Sequence, residues 1–482
     1  MKIEKAELIA ILAKFNPWWR EDKISDLPIW KRASFGELYN WVKNPPVHRA
    51  IFLSGARQIG KTTLIMQTIE NLIKDGIPPS NIFYATFDHP LLKLVGIDAV
   101  IKAWRQHEVE QEGFQYIFLD EVQFIRDWGT WVKHQVDFNK QLKIIFTGSA
   151  TPVLQEDQES GVGRWHTIRL TTLSFYEYIK LKKINLPELP KIKSLKEIFE
   201  WNQNEIFRVG EIATHYIAQF HEYLVRGGFP QTALVCNVNQ AQKLLREDIV
   251  DKVLKRDMTA MFGVRLVLEL EQTFLYLCLH DGAILDMTNL GNNLGINRPT
   301  AQNFIELLET THLIYKLQPF GYGKEILRGK HKIYLSDPAI APAVMLKGRG
   351  IIDDSEALGV CAESAVLKHL YARYYAQNVR FSYWQGKKNL EVDLVAEIAT
   401  EIIPFEVKYR SQHTSLSDCK GLLEFCSKRD IKRGYIITKS TDDFGVIDQK
   451  NSNIPAILKI PATLLCYFMG EMEINQKYIK SD

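Results

Sequence analysis

The chain has 482 residues, 46% of them hydrophobic and 24% charged, which is ordinary for globular protein and long enough for several packed domains. Its 60 Lys and Arg against 57 Asp and Glu leave a net charge of +3, so nothing marks it as a polyelectrolyte that binds by bulk charge alone. Six cysteines without a C-x-x-C pair argue against a zinc site and fit a reducing, cytoplasmic setting, and no apolar run approaches the ~18 residues of a membrane span.

Residues 1–46 begin Met1-Lys-Ile-Glu-Lys-Ala-Glu, with acids where a signal peptide would be apolar. They also hold Phe15-Asn16-Pro17-Trp18-Trp19, whose paired indoles read as an anchor onto the next domain. That domain, 47–182, opens with the apolar run Ala50–Leu53, continues through Gly55-Ala-Arg-Gln-Ile-Gly-Lys-Thr62 and enters the helix-compatible Thr62–Ile73. The middle stretch fits G-x-x-x-x-G-K-[ST] without a mismatch, and strand, loop and helix come in the order a phosphate-binding loop requires. Gly55 and Gly60 let backbone N–H groups turn toward phosphate oxygens, and the helix N-terminus adds positive potential. Lys61 is expected to neutralise the β- and γ-phosphates and Thr62 to offer its hydroxyl to Mg²⁺. ATP is thus expected on Gly55, Ala56, Gln58, Ile59, Gly60, Lys61, Thr62 and Thr63.

Tyr116–Leu119 is an apolar run ending in Asp120-Glu121. At the carboxyl edge of a parallel sheet, Asp120 would join the Mg²⁺ shell and Glu121 would orient and polarise the attacking water. Further strands are expected at Asn81–Phe87, at Leu142–Phe146 before Thr147-Gly-Ser149, and at Trp165–Leu170 after Gly161-Val-Gly-Arg164. Strands alternating with helical stretches predict a parallel α/β sheet with right-handed crossovers. Thr147 is either a γ-phosphate sensor or a turn hydroxyl. Arg164 either reaches the nucleotide of a neighbour in a homo-oligomer or is simply solvated.

The Lys- and Pro-rich Leu181–Lys196 reads as an exposed connection. The segment 183–261 is otherwise helical, with a break at Arg226-Gly-Gly-Phe-Pro230, and is expected to form a lid over the nucleotide. In 262–345, the helix-compatible Leu266–Leu279 is followed by Asp286–Gly295, then Thr300–Leu308 with apolar Ala301, Phe304, Ile305 and Leu308, then the extended Leu313–Leu317. That order reads as a winged helix-turn-helix with DNA as its partner, and places Arg298, Thr300, Gln302 and Asn303 at the start of a recognition helix. Residues 262–330 hold six Lys and Arg against seven Asp and Glu, so packing between domains is a rival use for this segment.

In 346–482 the strand-like Leu390–Ala396 contains Asp393, and Ile402–Tyr409 contains Glu406 and Lys408. Residues i and i+2 of a strand face one side, so Glu406 and Lys408 point together and Asp393 joins them from the neighbouring strand. Upstream, Ala362-Glu363 reads as the start of a helix. Asp393, Glu406 and Glu363 would hold Mg²⁺ while Lys408 acts on a metal-bound water. This is the constellation of the PD-(D/E)xK nucleases.

Taken together, the chain resembles a prokaryotic group of AAA+-like ATPases whose C-terminal region of unknown function has a restriction-endonuclease-like fold. The resemblance rests on Asn16-Pro-Trp-Trp, Gly55–Thr63, Phe118-Leu-Asp-Glu-Val-Gln, Phe146-Thr-Gly-Ser, Gly163-Arg, Leu173-Ser-Phe-Tyr-Glu, Arg226-Gly-Gly-Phe-Pro, Arg256-Asp, Tyr334-Leu-Ser-Asp, Glu391-Val-Asp and Phe405-Glu-Val-Lys, in the group's order. Gly148-Ser-Ala150 departs slightly from the commoner Gly-Ser-Ser. The resemblance implies ATP binding at Gly60, Lys61 and Thr62, Mg²⁺ and water roles for Asp120 and Glu121, and a nuclease-like site at Glu363, Asp393, Glu406 and Lys408. The expected function is an ATPase acting on DNA in repair, branched-DNA processing or defence. The alternative is a nucleotide-controlled switch whose C-terminal domain only binds DNA or protein.

Overall fold

The computed structural model describes residues 4–21, 26–108, 112–149, 163–323, 329–377, 379–398, 401–447 and 455–479, together with Ile24 and Ile326. Ala150 and Gly161 lie outside the described residues. The chain forms two compact units: residues 1–170 with 310–312 and 474–482, and residues 171–309 with 313–473. Among the described residues no helix is long and apolar enough to cross a membrane.

The first unit is built on five strands: β1 (Ala50–Gly55), β2 (Ile82–Thr86), β3 (Gln115–Asp120), β4 (Leu142–Gly148) and β5 (Trp165–Leu170). They form one sheet in the order β2-β3-β4-β1-β5, and every neighbouring pair is parallel. Parallel strands joined by crossover helices are covered on both faces, which is why these segments read as continuous apolar runs. β1 and β3 are buried at every position. Because β1 lies between β4 and β5, the carboxyl ends of β1, β3 and β4 open side by side, and a ligand crevice belongs there.

The exposed edge of this sheet is closed by the N-terminal segment. The Asn16 side chain donates to the Tyr84 carbonyl at 2.8 Å and accepts from the Tyr84 amide at 2.7 Å, pairing with β2 as a strand residue would. The Trp18 and Trp19 indoles both donate to the Ile82 carbonyl, at 3.1 and 3.0 Å. The paired tryptophans therefore anchor the segment by hydrogen bonds to β2 as well as by burial, and a bare strand edge is covered.

The second unit holds an eight-stranded mixed sheet. Its strands are β6 (Ile314–Pro319), β7 (Lys332–Leu335), β8 (Arg380–Gln385), β9 (Glu391–Ile398), β10 (Glu401–Lys408), β11 (Arg433–Thr438), β12 (Gly445–Ile447) and β13 (Ala456–Pro461), in the order β12-β13-β11-β10-β9-β8-β6-β7. β9 and β10 form the expected hairpin, with Phe405 opposite Leu394.

Upstream come helices Val267–Leu279, Met287–Leu294 and Arg298–Thr310. Asp286 caps the second of these by accepting from Thr288 and Asn289, and Gly295 ends it at φ +67°. The hairpin β6–β7 follows, but β6 also pairs with β8 through Gln318 and Pro319. The segment read as a wing thus shares a sheet with the C-terminal strands. The helix carrying Glu363 runs Ser355–Tyr374, so it begins seven residues before the expected Ala362, where Asp354 accepts from the Ala357 amide.

Candidate functional site

In the first unit the phosphate-binding loop joins β1 to the helix Lys61–Lys74. Gln58 (φ +58°) and Gly60 (φ +98°) take left-handed backbone, which turns the loop back on itself. A methyl group at Gly55 would lie 2.7 Å from the Leu170 carbonyl oxygen on β5, so the strand can end there only without a side chain. The Ile59 carbonyl accepts from the buried guanidinium of Arg32 at 3.0 Å, a brace that sequence reading did not foresee. Lys61 is buried and donates to the loop's own Gly55 and Ala56 carbonyls at 2.9 and 3.0 Å, with Glu121 Oε1 at 3.8 Å.

Asp120 ends β3 beside this loop. Its Oδ2 accepts from Thr62 Oγ1 at 2.7 Å and from the Tyr84 hydroxyl at 3.0 Å, and its Oδ1 accepts from Thr147 Oγ1. Burial, and then the neighbouring Glu121, raise its pKa above the ordinary carboxylate range. The same Thr147 hydroxyl accepts from the Glu121 amide at 3.0 Å, so one side chain sets both acids. Glu121 stands in left-handed backbone at φ +56°, and Gln123 donates to its carboxylate and to Ser149 Oγ. The crevice thus brings together Lys61, Thr62, Asp120, Glu121 and Thr147. A hydroxyl and a carboxylate 2.7 Å apart are hard oxygen donors of the kind Mg²⁺ takes beside substrate phosphates.

His312, which clusters with this unit, lies under the same strands. Its Nδ1 stands 3.1 Å from Arg169 Nη2 and its Nε2 3.0 Å from Ser54 Oγ. A guanidinium only donates, so Nδ1 accepts and Nε2 carries the proton. Burial, then Arg169 and Lys61, hold its pKa well below the usual histidine value.

Arg164 precedes β5, and its carbonyl accepts from the Ala50 amide at the start of β1. It is therefore at the opposite end of the sheet from the phosphate loop, about 20 Å along the strands, and cannot serve the nucleotide site of its own chain. Its guanidinium meets Asp137 at 3.4 Å. Arg226, in the second unit, is turned inward and donates to Glu222 Oε2 at 2.7 Å and to the Val235 and Cys236 carbonyls.

The C-terminal constellation lies within the second unit and is assembled in pairs. Lys408 on β10 donates to Glu406 Oε1, while Glu406 Oε2 is buried without a hydrogen-bond partner. Burial, then Asp393, push the Glu406 carboxyl up to about 8. Asp393 Oδ2 accepts from the Val407 amide at 2.9 Å, and its Oδ1 accepts from Lys332 Nζ at 2.9 Å. The same ammonium donates to Glu363 Oε1 at 3.1 Å, which the Tyr334 hydroxyl also reaches at 2.5 Å. Burial would lower the Lys332 pKa, but Tyr334, Asp393 and Glu363 outweigh it and hold the amine charged.

The expected Mg²⁺ set of Glu363, Asp393 and Glu406 does not fit a metal as placed. A lysine occupies the space between two of the acids, and another is tied to one oxygen of the third. Among the described residues no group of three or more His, Cys, Asp or Glu is disposed to hold a metal ion. The roles of Lys332 and Tyr334 were missed from sequence, where Tyr334 entered only within the stretch Tyr334-Leu-Ser-Asp and Lys332 showed only as a charged residue heading an apolar run.

Residues 47–179 match the family model of an AAA domain. Residues 217–350 and 358–458 match two families described as Domain of unknown function, DUF8612 and DUF4143. An uncharacterised protein of Haemophilus influenzae is 26% identical over 74% of this chain and 82% of its own length. One of Methanocaldococcus jannaschii is 25% identical over 82% of this chain and 81% of its own. Among solved structures, the Aeropyrum pernix ORC1 protein in complex with DNA aligns at 10% identity and a TM-score of 0.27, covering 64% of this chain and 90% of that one. AMPPCP-bound DnaA from Aquifex aeolicus aligns at 18% and 0.25, covering 58% and 89%. At those TM-scores the structural likenesses carry no argument. The AAA-domain match and the five-stranded parallel sheet agree on a P-loop α/β fold for the first unit.

Proposed function

We propose that this chain is a Mg²⁺-dependent ATP hydrolase that works on DNA. The observation that carries the reading is the meeting of Thr62 Oγ1 and Asp120 Oδ2 at 2.7 Å beside Lys61 and Glu121. In phosphoryl transfer the protein supplies position and charge and does little covalent chemistry. Lys61 would exchange the Gly55 and Ala56 carbonyls for phosphate oxygens, which are stronger acceptors because they are charged. Thr62 and Asp120 would hold Mg²⁺, whose charge when bound offsets that of the phosphates. Glu121 would orient and polarise the attacking water, and Thr147 would keep Asp120 and Glu121 in mutual register. Arg164 would act in trans, completing the site of an adjacent copy in a homo-oligomer.

The DNA part of the reading rests on the helix-turn-helix order of 267–310 and on Arg298, Gln302 and Asn303 being exposed at the start of its last helix. The balanced charge of that segment favours modest, shape-led binding over strong electrostatic capture. The alternative is a nucleotide-controlled switch that docks a partner. The deciding experiment is ATP turnover with no DNA, single-stranded DNA, duplex and a branched junction. Stimulation by any DNA form supports the reading, and turnover indifferent to all of them favours the switch.

A further inference from the structure

We infer that the acidic constellation of the second unit is a closed, metal-free site in which the Lys332 ammonium takes the place of a divalent cation. This stands apart from nucleotide hydrolysis in the first unit. Lys332 is buried, on the edge strand β7. Its ammonium donates to Asp393 Oδ1 and Glu363 Oε1 at 2.9 and 3.1 Å, the separations of charge-assisted hydrogen bonds.

Mg²⁺ needs carboxylate oxygens at about 2.0–2.1 Å in near-octahedral order and keeps several waters. Neither requirement is met while the ammonium lies between the acids. Both Asp393 oxygens already face donors, one the ammonium and the other the Val407 amide. Glu406 Oε1 is tied to Lys408, while its Oε2 is buried without a hydrogen-bond partner.

The charge arithmetic favours the same answer. A lysine within hydrogen-bond reach of both acids offsets one of their two buried charges without a metal, and a dication added beside it would meet a like charge at short range. Without a metal-bound water at these acids, Lys408 has nothing there to deprotonate.

The test titrates nucleotide-free, full-length protein with Mn²⁺ and follows the resonance of the free ion. Wild type and Asp393→Asn should give superimposable curves. One Mn²⁺ bound by wild type and lost in Asp393→Asn would overturn the inference, and this comparison does not depend on any Lys332 variant folding. Lys332→Ala, where it folds, should bind Mn²⁺ at least tenfold more tightly than wild type, and Mn²⁺ should raise its melting temperature while leaving that of wild type unchanged. A folded Lys332→Ala that gains no Mn²⁺ affinity would overturn the claim that the lysine stands in for a cation.

Discussion

At the scale of single residues, the nucleotide site was readable because its parts are local. Gly55 to Thr62 occupy eight consecutive positions, and Asp120-Glu121 announce themselves as acids at the end of an apolar run. Lys61→Ala removes the one buried cation of the loop and should weaken ATP binding at least tenfold, measured by calorimetry. Unchanged affinity would remove the phosphate-loop role. Residues whose meaning depends on distant partners were not readable. Lys332 finds its acids 31 and 61 positions along the chain, and no spacing rule connects them. Arg32 reaches the Ile59 carbonyl across 27 residues, and Ser54 meets His312 across 258. The motif gave the residues of the loop, and tertiary packing alone gives those that brace them.

At the scale of elements, the strands of the first unit were legible from apolar runs, and their bounds moved by a residue or two. Edge protection was legible only in part. The tryptophans signalled an anchor, but Asn16 gave no sign that it would pair with β2. Asn16→Ala leaves the Tyr84 amide and carbonyl without partners in a buried setting and should cost about 3 kcal/mol, read by urea denaturation. A loss below about 0.5 kcal/mol would mean that water or a neighbour replaces those bonds.

In the second unit, Asp281 accepts from the Leu335 amide at 2.8 Å and from Ser364 Oγ at 2.7 Å. Burial raises its pKa to about 7 against those hydrogen bonds. The folded state therefore holds a proton that the unfolded state releases near pH 4. This group costs stability in full above pH 7, progressively less as pH falls, and nothing below about pH 4. Asp281→Asn, which keeps a similar shape, should be more stable than wild type above pH 7, with the difference vanishing toward pH 4. A difference that does not change with pH would contradict the assignment.

At the scale of the whole molecule, the order of motifs along the chain was legible, while the grouping into units was not. Sequence reading gave separate segments at 262–345 and 346–482, whereas β6 and β8 share a ladder across them. A two-residue pairing between strands about 60 positions apart leaves no periodicity to find. The trans role of Arg164 belongs to this scale too. Arg164→Ala and Lys61→Ala proteins, each inactive alone in an oligomeric sample, should partly restore ATP turnover when mixed, and failure to complement would count against a shared site.

The central claim is that Glu121 drives water onto ATP held by the loop and by Asp120. It is tested most directly by phosphate release at saturating Mg²⁺ and ATP from wild type and Glu121→Gln, with bound nucleotide measured in the same samples. The account predicts equal ATP occupancy and release slowed about 100-fold or more in the variant. Equal release rates at equal occupancy would contradict it.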